Sequence, residues 1–224
     1  MTHILAIRPE PGLTSTIISA RALGLAVTGT PLFEVRPLDW EAPDPAQIDA
    51  LLIGSANAIR HGGVNLAHFL DKPVHAVGKS TEKTARQAGF QIGSVGSGGL
   101  QNVLDALHAP LRLLRIAGAD HVPLDPPKGV NIHKVIAYKS VALPLEPAVM
   151  DHDGNRSIVL LHSAAAAEHF ANECNRLGFD KGRIELAVLG PRIASAAGKD
   201  WRAIHVSERP DDAALLAMVD RLCQ

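Results

Sequence analysis

Short apolar runs, each broken by glycine, proline or a polar cluster, recur along this chain and alternate with stretches of helical periodicity. The first run, residues 4–7, ends in Arg8-Pro9-Glu10-Pro11-Gly12, and its prolines forbid continuation as a helix or a central strand. The spacing of Ile17, Ile18, Ala20 and Leu23 predicts a helix capped by Thr14 or Ser15 and stopped at Gly24. Residues 25–28 read as a second strand, so the chain opens strand–helix–strand with short loops, which favours parallel pairing. Residues 32–38 alternate apolar and polar around Pro37, which suits an edge strand or a linker, and residues 136–143 form a similar extended run. Between them strands are predicted at 51–53, 74–77, 91–95 and 111–116, with helices near 57–60, 80–88 and 100–108. Beyond them, strands at 158–161, 184–189 and 203–206 alternate with helices near 164–177, 191–197 and 211–222.

This order is written twice. Ala50-Leu51-Leu52-Ile53-Gly54-Ser55-Ala56-Asn57-Ala58 is echoed by Ile158-Val159-Leu160-Leu161-His162-Ser163-Ala164-Ala165-Ala166. Val74-His75-Ala76-Val77-Gly78-Lys79 is echoed by Leu186-Ala187-Val188-Leu189-Gly190-Pro191, and Gly99-Leu100-Gln101-Asn102-Val103-Leu104 by Asp212-Ala213-Ala214-Leu215-Leu216-Ala217. A duplication of this length implies two similar domains, and the cleft between two domains is a usual place for a ligand. The expected fold class is α/β, with two doubly wound parallel sheets. Periodicity leaves open whether each repeat builds its own domain or the opening strand–helix–strand completes the other one.

Composition narrows the function. With 224 residues, 46% hydrophobic and 20% charged, the chain has material for two compact cores of a soluble protein. A net charge of −1 gives no argument for nucleic acid or a membrane surface, so an anionic ligand needs a local cluster of positive groups. The opening Met1-Thr2-His3 runs straight into a strand without the basic and long apolar regions of a signal peptide, and no apolar run approaches a membrane span; the expected compartment is the cytoplasm. Cys174 and Cys223 are too few and too far apart for a disulfide framework or a zinc site. The 11 histidines show no paired ligand spacing, and His162 reads as a polar residue lining the cleft; no metal is expected.

Taken in order, Arg8-Pro9, Gly54-Ser55-Ala56-Asn57-Ala58, Ala76-Val77-Gly78-Lys79-Ser80-Thr81, Ala137-Tyr138-Lys139-Ser140, His162-Ser163-Ala164 and Leu189-Gly190-Pro191 resemble the uroporphyrinogen-III synthases over essentially the whole chain. Each motif is short; their order and spacing carry the likeness. The resemblance implies two flavodoxin-like domains, residues 1–34 plus 144–224 and residues 38–135, joined by a two-stranded linker near 33–38 and 135–143. It implies a monomeric, cofactor-independent lyase whose small-molecule substrate is a linear tetrapyrrole polycarboxylate. Hydroxymethylbilane would lose water and close with its terminal pyrrole inverted, giving uroporphyrinogen III through a spiro intermediate. The work lies in orientation, water exclusion and one proton for the departing hydroxyl.

Eight carboxylates on such a ligand call for anion-holding groups at the carboxyl ends of the parallel strands. Ser55, Asn57, Gly78, Lys79, Thr81 and Ser163 open helices at such ends, and Gly98 and Gly99 open another in a loop that fits neither a P-loop nor a dinucleotide fingerprint. Helix capping explains the hydroxyl residues equally well by physics alone, and the resemblance moves Ser55, Thr81 and Ser163 toward substrate contact. Arg8, Lys79 and Arg192 follow strand ends and could pair with carboxylates, although a solvated surface charge is the commoner fate of such residues. Gly190 belongs to the same set. After Pro191 the family usually shows hydroxyl residues, so Arg192 is a departure in which a guanidinium replaces them. Tyr138, the one tyrosine of the chain, matches the family's catalytic candidate as general acid toward the hydroxyl; packing within an extended run is the ordinary alternative. Pro123, Pro126, Pro127 and Gly129 predict a loop over 118–130 where the family commonly has a helix, which removes the anion contacts expected near Arg115. The competing class is a non-catalytic two-domain binder or regulatory protein that closes over a small anionic ligand.

Overall fold

The computed structural model describes residues 2–150 and 156–224; Met1, which the sequence reading assigns to the first domain with residues 151–155, lies with them outside the described residues. The apolar runs form strands β1 (His3–Ala6), β2 (Val27–Gly29), β3 (Phe33–Pro37), β4 (Ala50–Ile53), β5 (Val74–Val77), β6 (Ile92–Gly96), β7 (Leu111–Gly118), β8 (Val130–Ala142), β9 (Ser157–Leu161), β10 (Ile184–Val188) and β11 (Ala203–Val206). Helices are α1 (Gly12–Ala22), α2 (Ala56–Arg60), α3 (Gly78–Gln87), α4 (Leu100–Asp105), α5 (Ala164–Leu177), α6 (Pro191–Ala197) and α7 (Asp212–Cys223). Every residue of β4, β9 and β10 is buried, as continuous apolar strands covered on both faces must be.

Contacts divide the chain into two compact units. The split unit holds the described residues up to Glu34 and those from Ala142 onward; the middle unit runs from Val35 to Val141. In the split unit the strand order is β11-β10-β9-β1-β2, every pairing parallel, which is the flavodoxin-like order. In the middle unit the order is β3-β8-β7-β4-β5-β6, and the pairings from β8 to β6 are parallel. Each sequence repeat therefore occupies corresponding strands: β4, β5 and β6 in one sheet, β9, β10 and β11 in the other. The spatial order is the same, and only the strand at which the chain enters differs.

Leu38 donates its N–H to the Ala137 carbonyl at 2.8 Å, and Leu143 donates to Leu32 at 2.9 Å, so β3 and β8 run in opposite senses. β8 begins at Val130, well before the run seen in the sequence, because its first residues pair with β7 from Leu111 onward.

Two local expectations need correction. Thr14 and Ser15 do not cap α1. The helix starts at Gly12, and the Glu10 carboxylate outside it accepts from the Thr14 N–H at 3.1 Å and hydroxyl at 2.8 Å. Helix α4 ends at Asp105 rather than near 108, short of Pro110, whose ring bars helical geometry at the residue before it. The proline-rich 119–129 segment is a loop, as its composition predicts, and carries the chain from β7 to β8 without the crossover helix that α1 supplies between β1 and β2.

Packing follows the alternation of strand side chains. On the split sheet, Leu5, Val159 and Leu186 pack under α5, while Ile4, Ala6, Ile158 and Leu160 pack under α1 and α7. On the middle sheet, Leu51, Ile53, Leu114 and Ile116 face α2 and α3, and Leu52 and Leu113 face α4, with Leu124 of the long loop on that side.

Candidate substrate site

Apart from Tyr138, the proposed site residues fall just after the carboxyl ends of parallel strands or in the helices that follow them; Tyr138 lies within β8, level with Gly118 at the carboxyl end of β7. In the middle unit these ends surround a cavity of about 530 Å³. Ser55, Gly98, Gly99 and Tyr138 line it together with Gly54, Leu100, Arg115, Gly118, Ser140 and the loop residues 119–124.

Ser55 caps α2, its hydroxyl oxygen accepting from the Asn57 N–H at 3.2 Å, and the Asn57 side-chain oxygen accepts from Arg60 at 3.3 Å. Gly98 and Gly99 take φ of 78° and 131°, conformations that L side chains avoid, and thereby turn the chain from β6 into α4. Gly78, with φ of 76°, does the same between β5 and α3. Lys79 is exposed in the first turn of α3 and makes no ion pair among the described residues. Thr81 is buried, 4% exposed, and is not part of the cavity wall. Helices α2 and α4 are short, so their combined dipoles contribute little field at the cavity.

Tyr138 is half-buried in β8 and stands beside Gly118 of β7, where the ladder shifts register. Its carbonyl accepts from the Ala119 N–H at 2.9 Å, and its ring centroid lies 6.3 Å from that of His61. Burial, and next the Arg60 charge, push the pKa of His61 below its ordinary value.

Sequence reasoning sets Arg115 aside, yet it is the cation on the cavity wall. It is 6% exposed, and its Nη2 donates to the Val122 carbonyl at 2.6 Å. Burial lowers its pKa, with Tyr138 acting in the opposite direction. The signal that could have found it is the alternation of β7, where Leu113, Arg115 and Ala117 share a face and a charge replaces an expected apolar residue.

In the split unit the strand ends carry a different arrangement. Arg8 is paired: its Nη1 donates to both carboxylate oxygens of Asp212 at 3.1 and 3.0 Å and to Thr16 at 3.2 Å. Its guanidinium lies against Gly12, where a Cβ would collide with Nε. Thr16 and His162 donate to the same carboxylate at 2.8 and 2.7 Å, so the His162 proton sits on Nε2. Burial pushes the Asp212 pKa up, but the hydrogen bonds from His162 and Thr16 and the neighbouring charges outweigh it and hold the carboxyl below its ordinary value. Ser163 caps α5, accepting from the Ala166 N–H at 3.2 Å. Gly190 precedes α6 in an extended conformation, and Arg192 is exposed on that helix without an ion pair among the described residues. No group of His, Cys, Asp and Glu that could hold a metal is present among the described residues.

Comparison with known proteins adds to this geometry. A family model described as uroporphyrinogen-III synthase HemD matches residues 15–217. The crystal structure of uroporphyrinogen-III synthetase from Helicobacter pylori 26695 superposes with a TM-score of 0.67 at 15% identity, over 99% of this chain and 100% of that one. A mutant uroporphyrinogen III synthase from the extremely thermophilic bacterium Thermus thermophilus gives a TM-score of 0.50 at 16% identity, over 99% of each chain. At such identities the structural likeness speaks for the fold alone. No curated protein sequence matches the chain.

Proposed function

The chain belongs to the uroporphyrinogen-III synthase family, and from that premise we propose that it cyclises hydroxymethylbilane to uroporphyrinogen III with Tyr138 as the proton donor. The observation that carries the reading is the placement of the one tyrosine of the chain, on the wall of a largely apolar cavity at the carboxyl ends of a parallel sheet.

The chemistry needs little more than this wall supplies. Protonation of the hydroxyl by Tyr138 lets water depart and leaves an electrophilic methylene on the terminal ring. That carbon closes spontaneously in water to the uninverted isomer, so the protein must hold the far pyrrole with its substituted carbon toward the methylene and keep solvent out. Attack there forms the spiro intermediate, and its rearrangement inverts the ring. Ser55, Gly98 and Gly99 support orientation through hydroxyl and backbone N–H groups on the same wall. Lys79 and Arg192, exposed and unpaired among the described residues, are assigned to substrate carboxylates, with Asn57, Gly78, Ser163 and Gly190 in supporting contact, while Thr81 is buried away from the cavity wall. Arg8 is already matched by Asp212, so its assigned contact is a shared one.

The same reading has the protein act without cofactor, as a monomer in the cytoplasm; a reducing compartment suits two free cysteines. No helix among the described residues is long and apolar enough to cross a membrane. Nothing in the geometry favours a non-catalytic binder. Supplying hydroxymethylbilane and resolving the product isomers tests the proposal: type III is expected, and type I alone would overturn it.

A further inference from the structure

The long loop between β7 and β8 has a consequence for binding. In the split unit, α1 bridges the equivalent strands and fills the sheet face with apolar side chains. In the middle unit, residues 119–127 bridge them as a proline-rich loop, and only Leu124 reaches the core on that face. His121 holds the start of the loop, its Nδ1 donating to the Gly118 carbonyl at 3.0 Å while its Nε2 accepts from Lys134 at 2.9 Å. The space left beneath the loop is part of the cavity.

Arg115 projects from the floor of that space. Alternation places it on the same face as Leu113 and Leu52, which are apolar, while its register partner on β8, Lys134, is exposed and donates to His121. A guanidinium so far withdrawn from solvent ordinarily has a carboxylate partner, since a buried unpaired charge is costly. Arg115 has none among the described residues. It spends one N–H on the Val122 carbonyl, and its Nε is buried without a hydrogen-bond partner. The acidic residue of the cavity wall, Asp120, is exposed and makes no ion pair with Arg115 among the described residues. Leu100, Ile116, Val122 and Leu124 give the same cavity an apolar stretch of wall.

We propose that Arg115 anchors a carboxylate-binding subsite under the 119–127 loop, which takes the acetate or propionate arm of one pyrrole ring while the ring lies against the apolar wall. The assignment rests on the synthase reading for the identity of the ligand, and on the unpaired guanidinium in its cavity for its chemistry. Tyr138 lines the same cavity, so a ring held there is presented to the proposed proton donor.

The test uses porphobilinogen, a single pyrrole with one acetate and one propionate, titrated into the full chain by calorimetry. Binding to the unsubstituted protein should weaken about tenfold or more in R115Q. Because Arg115 also holds the loop, a second variant, V122D, leaves that backbone carbonyl in place and sets a competing carboxylate at an exposed position of the mouth. It should weaken binding similarly with unchanged melting temperature. Both variants should raise KM for hydroxymethylbilane by about the same factor. Equal porphobilinogen affinity in the unsubstituted protein and both variants, or no binding to the unsubstituted protein, overturns the subsite. If the unsubstituted protein releases only type I isomer while porphobilinogen binding still depends on Arg115, the subsite stands and the synthase reading falls.

Discussion

The aromatic ring of Tyr138 lies directly on the backbone of Gly118: a Cβ at Gly118 would stand 2.6 Å from Tyr138 Cε2 and 2.8 Å from Cζ. The two residues are paired across β7 and β8 at the register shift, so the glycine sets the height at which the phenol sits over the sheet. Gly118 is not in the left-handed region, and alanine there meets no backbone penalty. Gly118→Ala should therefore act by displacing the ring. Turnover should fall at least tenfold, while overpacking at this half-buried position costs about 1–2 kcal/mol of stability. Steady-state kinetics beside a denaturant titration separates the two effects.

Removing only the hydroxyl asks a narrower question. Tyr138→Phe keeps the contact with Gly118 and should leave the melting temperature within a degree or two, since the phenol hydroxyl has no hydrogen-bond partner among the described residues. Turnover should drop by roughly a hundredfold or more, the usual contribution of a positioned acid. Unchanged turnover would take Tyr138 out of the mechanism.

Arg192 is exposed on α6 and free of ion pairs among the described residues, so Arg192→Ala should not change stability measurably. If the guanidinium meets a substrate carboxylate, KM should rise several-fold with kcat nearly constant, as expected for an interaction equally strong in ground and transition states. An unaltered KM rejects that contact.

Glu185 gives the split unit an acid-sensitive anchor. It lies in the fully buried strand β10 and accepts from Arg156 at 2.7 and 2.8 Å and from His205 at 2.8 Å. The hydrogen bonds from Arg156 outweigh burial and, with His205, hold its pKa at about 2, against 4.5 for an ordinary glutamate. A folded-state pKa below the unfolded one stabilises the fold fully above pH 4.5, and that contribution is lost as pH falls toward 2. Glu173, held at about 2 chiefly by Arg176, adds to the same window. Glu185→Gln should cost about 2 kcal/mol at neutral pH and flatten the acid limb of the stability profile. Denaturant midpoints between pH 7 and pH 2.5 check both parts.

Much of this architecture is legible in the sequence because apolar continuity and internal repetition agree. The runs around Leu51, Val159 and Leu186 are buried on both faces, so they read as central strands, and the echo between the two copies establishes their equivalence. Residues 164–177 and 191–197 read to their observed ends, since Ser163 and the Gly190-Pro191 pair are strong start signals. The start of α1 escapes such a reading because its cap comes from Glu10, upstream of the residues whose side chains usually do that work. The pairing of Arg8 with Asp212 joins positions far apart in the chain, and no local pattern announces it. Arg115 is discounted in the sequence because the prolines remove the crossover helix; the space left by that helix is what gives the side chain its cavity.

The hydrogen bond between Leu143 and Leu32 has an architectural consequence. At that point the two severed ends of the split unit already touch, so a graft of a few residues between them would excise everything from Val35 to Val141 and leave an unbroken five-stranded order, β11-β10-β9-β1-β2. The middle unit is in this sense a guest, spliced into a host whose own sheet never needed it for closure.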